Sequence, residues 1–386
     1  MLGQRTRRSI LTAVAVAVFI ATTAWPASAQ GYTFTRVADS SADGFDPSSF
    51  GCATINERGD IAFRAGRPAP DGFNTIPGIY RANADGTLTT IAEDARSLVT
   101  IGFNPSMNDV GQVSFAARVD RGKKPDVESV FRGSGAKLTT IATTTREFNF
   151  FGFDTSVSNA GEVAFRAELD EDLGFDEGLF SGTGRRIITH YLASTSDFDG
   201  SDARPSINNL GEIGFAESVD FERGIFAGRD GTFRTIAAPD PDVRVGEPVL
   251  NDTGTAAFVR SFFDQTAQQF VEEIVTGDGG PVTIVADTRG PLSSFGFRPP
   301  SLNNLGNVAF HATLDGSTTS GIFVGPDPVA DRVIATGDAL DGALVQNLTF
   351  CEEGLSDAGE LAFVAELSDP GSPSGFRMAV FRATPV

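Results

Sequence analysis

Three sets of side chains carry the chemistry this sequence can offer. His190 and Tyr191 stand side by side, two groups able to move protons, a short way ahead of Arg204. In an elimination on a uronate-type sugar, Tyr191 or His190 would take the proton α to the carboxylate while Arg204 neutralises it. Between them runs Asp197-Phe198-Asp199-Gly200-Ser201-Asp202, whose spacing of Asp197, Asp199 and Asp202 resembles a Ca²⁺ ligand set. The loop is shorter than an EF-hand and lacks a closing bidentate Glu. The third set, Asp120, Asp170, Asp220 and Asp315, recurs five residues after a repeated Phe, with Asp264 and Asp369 one position later. A partial ring of carboxylates could bind Ca²⁺ or a cationic ligand, or supply the acid and nucleophile of a glycosidase. The simpler reading is turn formation at strand ends, which suits an Asp found in most units. His311 follows Phe310 and aligns with Arg64 and Arg166, which reads as a polar contact between units. No Gly-x-Ser-x-Gly elbow, His-Glu-x-x-His pair, phosphate-binding loop or dinucleotide fingerprint occurs.

The scaffold behind these groups is a phrase that returns seven times: Asn or Ser, two residues, Gly, two residues, Phe. It spans Asn56 to Phe63, Asn108 to Phe115, Ser158 to Phe165, Asn208 to Phe215, Asn251 to Phe258, Asn303 to Phe310 and Ser356 to Phe363. The glycines lie 52, 50, 50, 43, 52 and 53 residues apart, the period of a tandem array. Within each period four pieces rich in β-branched and aromatic residues are bounded by Gly, Asn and Asp, which predicts a meander of four antiparallel strands. The Asn closes the turn on its own backbone, and the Gly accepts a left-handed conformation. The fold class is therefore all-β, a seven-bladed β-propeller. The last unit stops at its third strand, Met378 to Arg382, and residues 32–38 supply the missing fourth, closing the ring. Cys52 and Cys351 take nearly equivalent places on the first strands of blades one and seven, neighbours only in a closed ring. This predicts a disulfide; two buried free thiols are the alternative.

Residues 1–29 read as an export signal: Arg5, Arg7 and Arg8, an apolar run from Ile10 to Ala24, then Ala27-Ser28-Ala29. Residues 30–386 then form one domain, periplasmic or extracellular, with no membrane insertion. Removing the three arginines takes the net charge from −20 to −23, which sets nucleic acid aside as a partner. The 33 Phe against 3 Tyr and 1 Trp point to packed interiors more than to sugar-stacking platforms.

The phrase Asn303-Asn304-Leu305-Gly306-Asn307-Val308-Ala309-Phe310, followed by Gly321-Ile322-Phe323, resembles the NxxGxxAF repeat of exported bacterial proteins whose function is largely undefined. The resemblance covers nearly the whole mature chain and transfers no catalytic residue. Loop lengths place a site on the face where the connections between second and third strands, and between blades, emerge. The expected function is a monomeric binding module for an extracellular or envelope protein, a glycan or a cation such as Ca²⁺. The alternative is a secreted polysaccharide lyase or glycoside hydrolase acting at the channel mouth.

Overall fold

The computed structural model describes residues 31–386 except 72–73, 94–96, 146, 171–175, 201–203 and 297. The expected export signal lies outside the described residues. Seven antiparallel sheets follow one another around a central channel. Blade three shows the plan: Phe148–Val157 innermost, then Val163–Leu169, Glu177–Gly182 and Ile187–Leu192 outermost. In blade seven Tyr32–Asp39 pairs with Phe376–Pro385, from Tyr32 opposite Pro385 to Asp39 opposite Ala379, so the first strand completes the last sheet. Cys52 and Cys351 form the disulfide that joins blades one and seven, with their Cα atoms 5.9 Å apart.

Each blade buries both faces against its neighbours, and this explains the repeated Phe. Phe63, Phe115, Phe165, Phe215, Phe258, Phe310 and Phe363 are each 1 % exposed or less, and burying such a ring stabilises the fold by about 1.5–3 kcal/mol. The residue before the Phe points to the opposite face and must be small. Ala62, Ala164, Ala257, Ala309 and Ala362 each share a hydrophobic cluster with the Phe of the following blade, Ala362 with Phe63 across the ring junction.

The Asn of the phrase works twice. Asn208 Oδ1 accepts from the amides of Leu210 and Glu212 and closes its turn, while Nδ2 donates 3.1 Å to the Asn251 carbonyl of the next blade. Asn56, Asn108, Asn251 and Asn303 reach forward in the same way. The residue after the Asn or Ser forms a second, complete circle. Backbone amides of Glu57, Asp109, Asn159, Asn209, Asp252, Asn304 and Asp357 each donate to the side chain of the next member at 2.7–3.1 Å, and Asp357 returns to Glu57.

Seven members cannot all pair. Asn159 donates its amide to Asp109, Asn209 to Asp252 and Asn304 to Asp357, which leaves Glu57 between two carboxylates. Lost hydration, with the charges of Asp357, Asp109 and Glu360 behind it, raises Glu57 from 4.5 to about 7 against the opposing hydrogen bond from the Asp357 amide. The folded state therefore holds this proton more tightly than the unfolded chain. The stability it confers is complete below about 4.5 and is lost as pH rises through about 7. Glu57→Gln should flatten that part of the stability profile and raise the melting temperature on the alkaline side, which thermal melts across the pH range would measure.

Candidate functional site

At the channel end opposite these turns, the inner strands enter through related phrases. They read Phe50-Gly51-Cys52, Ile101-Gly102-Phe103-Asn104, Phe151-Gly152-Phe153-Asp154, Val245-Gly246-Glu247, Phe295-Gly296-Phe297-Arg298 and Phe350-Cys351-Glu352. Neighbouring inner strands nearly touch here. A Cβ on Gly51 would lie 2.5 Å from the Phe103 carbonyl oxygen, and one on Gly102 would lie 2.6 Å from that of Phe153. The residues that follow differ from blade to blade, unlike the circle at the other end.

They form one polar network across the mouth. Arg298 Nη1 on blade six donates to Asn104 Oδ1 on blade two at 3.1 Å and approaches Cys52 Sγ at 2.9 Å. Asn104 Nδ2 donates to Asp154 Oδ1 at 2.5 Å, and Asp154 Oδ2 lies 3.0 Å from Arg204 Nε. The Arg204 amide donates to Glu247 Oε2 at 3.2 Å, and Arg223 pairs with the other Glu247 oxygen. Burial raises Glu247 to about 7 in spite of both arginines. Burial and the charge of Asp154 also raise Glu352, whose Oε2 has no hydrogen-bond partner. Beside the network the exposed rings of Phe103 and Phe153 face solvent, with the Arg64 guanidinium stacked 4.3 Å over Phe103.

Beneath the mouth the channel is bridged. Glu353 accepts from Ser106 Oγ at 2.7 Å, Thr54 Oγ1 at 3.1 Å, the Met107 amide at 3.1 Å and Ser156 Oγ at 3.4 Å, tying blades one, two, three and seven. Burial, followed by the charge of Glu352, lifts its carboxyl to about 7. To one side, between blades four, five and six, a cleft of about 400 Å³ is lined by Arg204, Arg223, Arg244, Glu247 and Arg298.

Of the residues singled out in the sequence, Arg204 is at the mouth and His190 and Tyr191 are not. Both lie on the outermost strand of blade three, 3 % and 6 % exposed. His190 Nε2 meets Ser181 Oγ at 2.9 Å, and its Nδ1 accepts from the Asp230 amide at 3.0 Å. Tyr191 packs among Phe198, Phe215 and Phe233 and donates 2.6 Å to Glu217. Enclosure between blades removes both from any substrate at the mouth.

The aspartates sit apart, at strand ends. Asp120 Oδ1 accepts from the Gly122 amide at 2.6 Å, and Asp264 from those of Thr266 and Ala267 at 2.9 and 3.0 Å, as turn-forming residues do. The amides of Asp170 and Asp315 donate to Glu147 and Pro291 carbonyls. Asp220 and Phe221 make a two-residue hairpin tip with φ of 53° and 68°. Asp197, Asp199 and Asp220 border one surface depression, where Asp199 Oδ2 accepts from the Phe221 amide at 2.7 Å. Asp202 lies outside the described residues. Among the described residues the three-ligand group that closes within 4.8 Å is Cys52, Cys351 and Glu352, and its sulfurs are already bonded to each other. His311 is half-buried with Nε2 unpartnered, and its Nδ1 lies 3.5 Å from where a Cβ on Gly296 would stand, behind the cleft wall.

Tyr191→Phe should cost about 1.5–3 kcal/mol of stability by withdrawing a donor from the buried Glu217 carboxylate. It should leave any ligand affinity of the mouth unchanged. Denaturant melts alongside a binding titration would separate the two.

Among solved structures, an oligogalacturonate lyase in complex with manganese superposes with a TM-score of 0.54 at 10% identity, over 94% of this chain and 95% of that one. The β-propeller domain of the Trilobed protease from Pyrococcus furiosus gives 0.52 at 8%, over 87% and 94%. Pyrococcus horikoshii acylaminoacyl peptidase gives 0.52 at 11%, over 86% of this chain and 52% of that one. The chain spans about half the length of the acylaminoacyl peptidases it matches. At these identities the likeness is one of fold. Among curated protein sequences none matches significantly. A protein family of unknown function (DUF7453) matches residues 95–383, about three quarters of the sequence, and the chain belongs to that family.

Proposed function

We propose that this protein is an exported β-propeller that binds a ligand through the mouth formed by its long loops. The observation that carries the reading is the contrast between the two ends of the channel. At one end the same turn and the same acid or amide recur in every blade, as a structural fastener requires. At the other, Asn104, Asp154, Arg204, Glu247, Arg298 and Glu352 replace one another from blade to blade beside exposed Phe103 and Phe153. Residues free to differ while the scaffold stays constant are where specificity is built. The Cys52–Cys351 disulfide supports an oxidising compartment, as does the likeness of the tandem phrase to NxxGxxAF arrays of exported proteins. An extracellular or envelope protein or glycan is the proposed class of partner, with the protein acting as a monomer.

A second reading, an acidic-polysaccharide lyase, is favoured by one feature: Arg204 and Arg223 beside Glu247, a carboxyl held near neutrality where it can exchange a proton. This pairing takes the place of His190 and Tyr191 in that chemistry. The oligogalacturonate lyase among the structural neighbours shares the fold.

Thermal shift with a panel of glycans, peptides and Ca²⁺ should yield ligands that raise the melting temperature. Arg204→Ala or Phe103→Ala should abolish the shift, and Leu210→Ala at the opposite end should not. Loss on Leu210→Ala alone would move the binding face to the other end. Ultraviolet absorbance of unsaturated products separates the readings: none should form if the mouth only binds, and their appearance, abolished by Glu247→Gln, would establish the lyase.

A further inference from the structure

Two of the four guanidiniums in the cleft are held in ion pairs; the other two, Arg298 and Arg244, are not, although the Arg298 charge acts on the nearby buried Glu352 carboxyl. Arg204 is held by Asp154 and Arg223 by Glu247. Arg298 donates to a neutral amide oxygen and approaches a disulfide sulfur, and among the described residues it has no carboxylate within 4 Å. Arg244 is exposed, its backbone is paired with Ser261, and its side chain has no ion-pair or hydrogen-bond partner among the described residues. In a chain with 30 basic and 50 acidic residues, four arginines on one cleft invert the local sign of charge. Low-dielectric walls focus such a field onto the cavity.

The shape fits the charge. Val245, Val259 and Pro299 give the cleft apolar surface for a carbon skeleton, and its volume of about 400 Å³ lies within the range of small-molecule sites. Gly246 and Gly296 line it without side chains, which leaves the arginine forks room to approach a ligand. A planar guanidinium matches the two oxygens of a carboxylate, or two of a phosphate or sulfate, in a way that a point charge does not.

Resting on the reading that the mouth is the binding face, we propose that the cleft between blades four, five and six binds a small organic oxyanion, held by Arg244 and Arg298. The carboxylate of an acidic sugar and the ester group of a sugar phosphate are its two possible sources.

Isothermal titration of the mature chain at low ionic strength with digalacturonate, glucose 6-phosphate and neutral cellobiose tests this. At least one acidic probe should bind, cellobiose should not, and the stronger acidic probe identifies the source. Added NaCl should weaken binding. Arg298→Ala and Arg244→Ala should each raise the dissociation constant by about tenfold or more, the loss of one charged hydrogen-bonding partner. The Arg244 guanidinium makes no polar contact with another described residue, so Arg244→Ala keeps the test decisive if Arg298→Ala fails to fold. The proposal is overturned if neither acid binds more tightly than cellobiose, or if acid binding is unaltered in Arg244→Ala. A neutral glycan or peptide whose binding depends on Arg204 would sink the anion site and leave the mouth as the binding face. Acid binding that survives every mouth variant and is lost on changes at the opposite end would sink both.

Discussion

No blade in this protein can bury its own faces, and every other property follows from that constraint. A four-stranded sheet exposes two apolar surfaces, so it is stable only between two others, and the last must meet the first. The chain satisfies this by lending its first strand, Tyr32–Asp39, to the final sheet, and by joining the same two blades through Cys52 and Cys351. The interblade clusters repeat one recipe, a Phe laid over the small residue of the preceding blade. The junction cluster of Ala362 and Phe63 uses it too. Closure is therefore one more copy of an ordinary interface, with a covalent bond added.

The two ends of the channel answer different demands. At the turn end, three side-chain amides and four carboxyls share one circle in which each backbone N–H finds the next side chain, and each amide also pairs with a neighbouring carboxylate. An odd number of blades leaves Glu57 as the unmatched member. At the loop end no circle closes among the described residues, and the side chains form branched contacts that cross the opening. Glu353 lies between, taking hydrogen bonds from blades one, two and three.

The turn phrase, the period, the closing strand and the disulfide were legible in the sequence because each repeats or pairs in a fixed register. The forward hydrogen bond of each Asn was not, since it depends on the next blade's position in space. The circle begun by Glu57 was hidden differently. Its members are Glu, Asp and Asn, which look variable by letter and are alike only in offering an oxygen. The mouth arginines were harder still: Arg204, Arg223, Arg244 and Arg298 hold no common place in the repeat and converge through folding alone. His190 and Tyr191 show the converse. They depart from the Ile-Ala of other blades, which suggests grafted chemistry. Yet Glu217 departs from the Ala65, Ala117, Ala167, Ala312 and Ala365 found at its position, and Tyr191 bonds to it. Two departures in adjacent blades compensate one another, and the result is packing.

The meeting of the first and last strands has an orientational corollary. The Val386 amide donates to the Gly31 carbonyl at 2.9 Å, on the outer edge of blade seven at the side of the Asn turns. The strand ends at Gly31 and Val386 therefore leave the propeller on the side away from the arginine-rich opening.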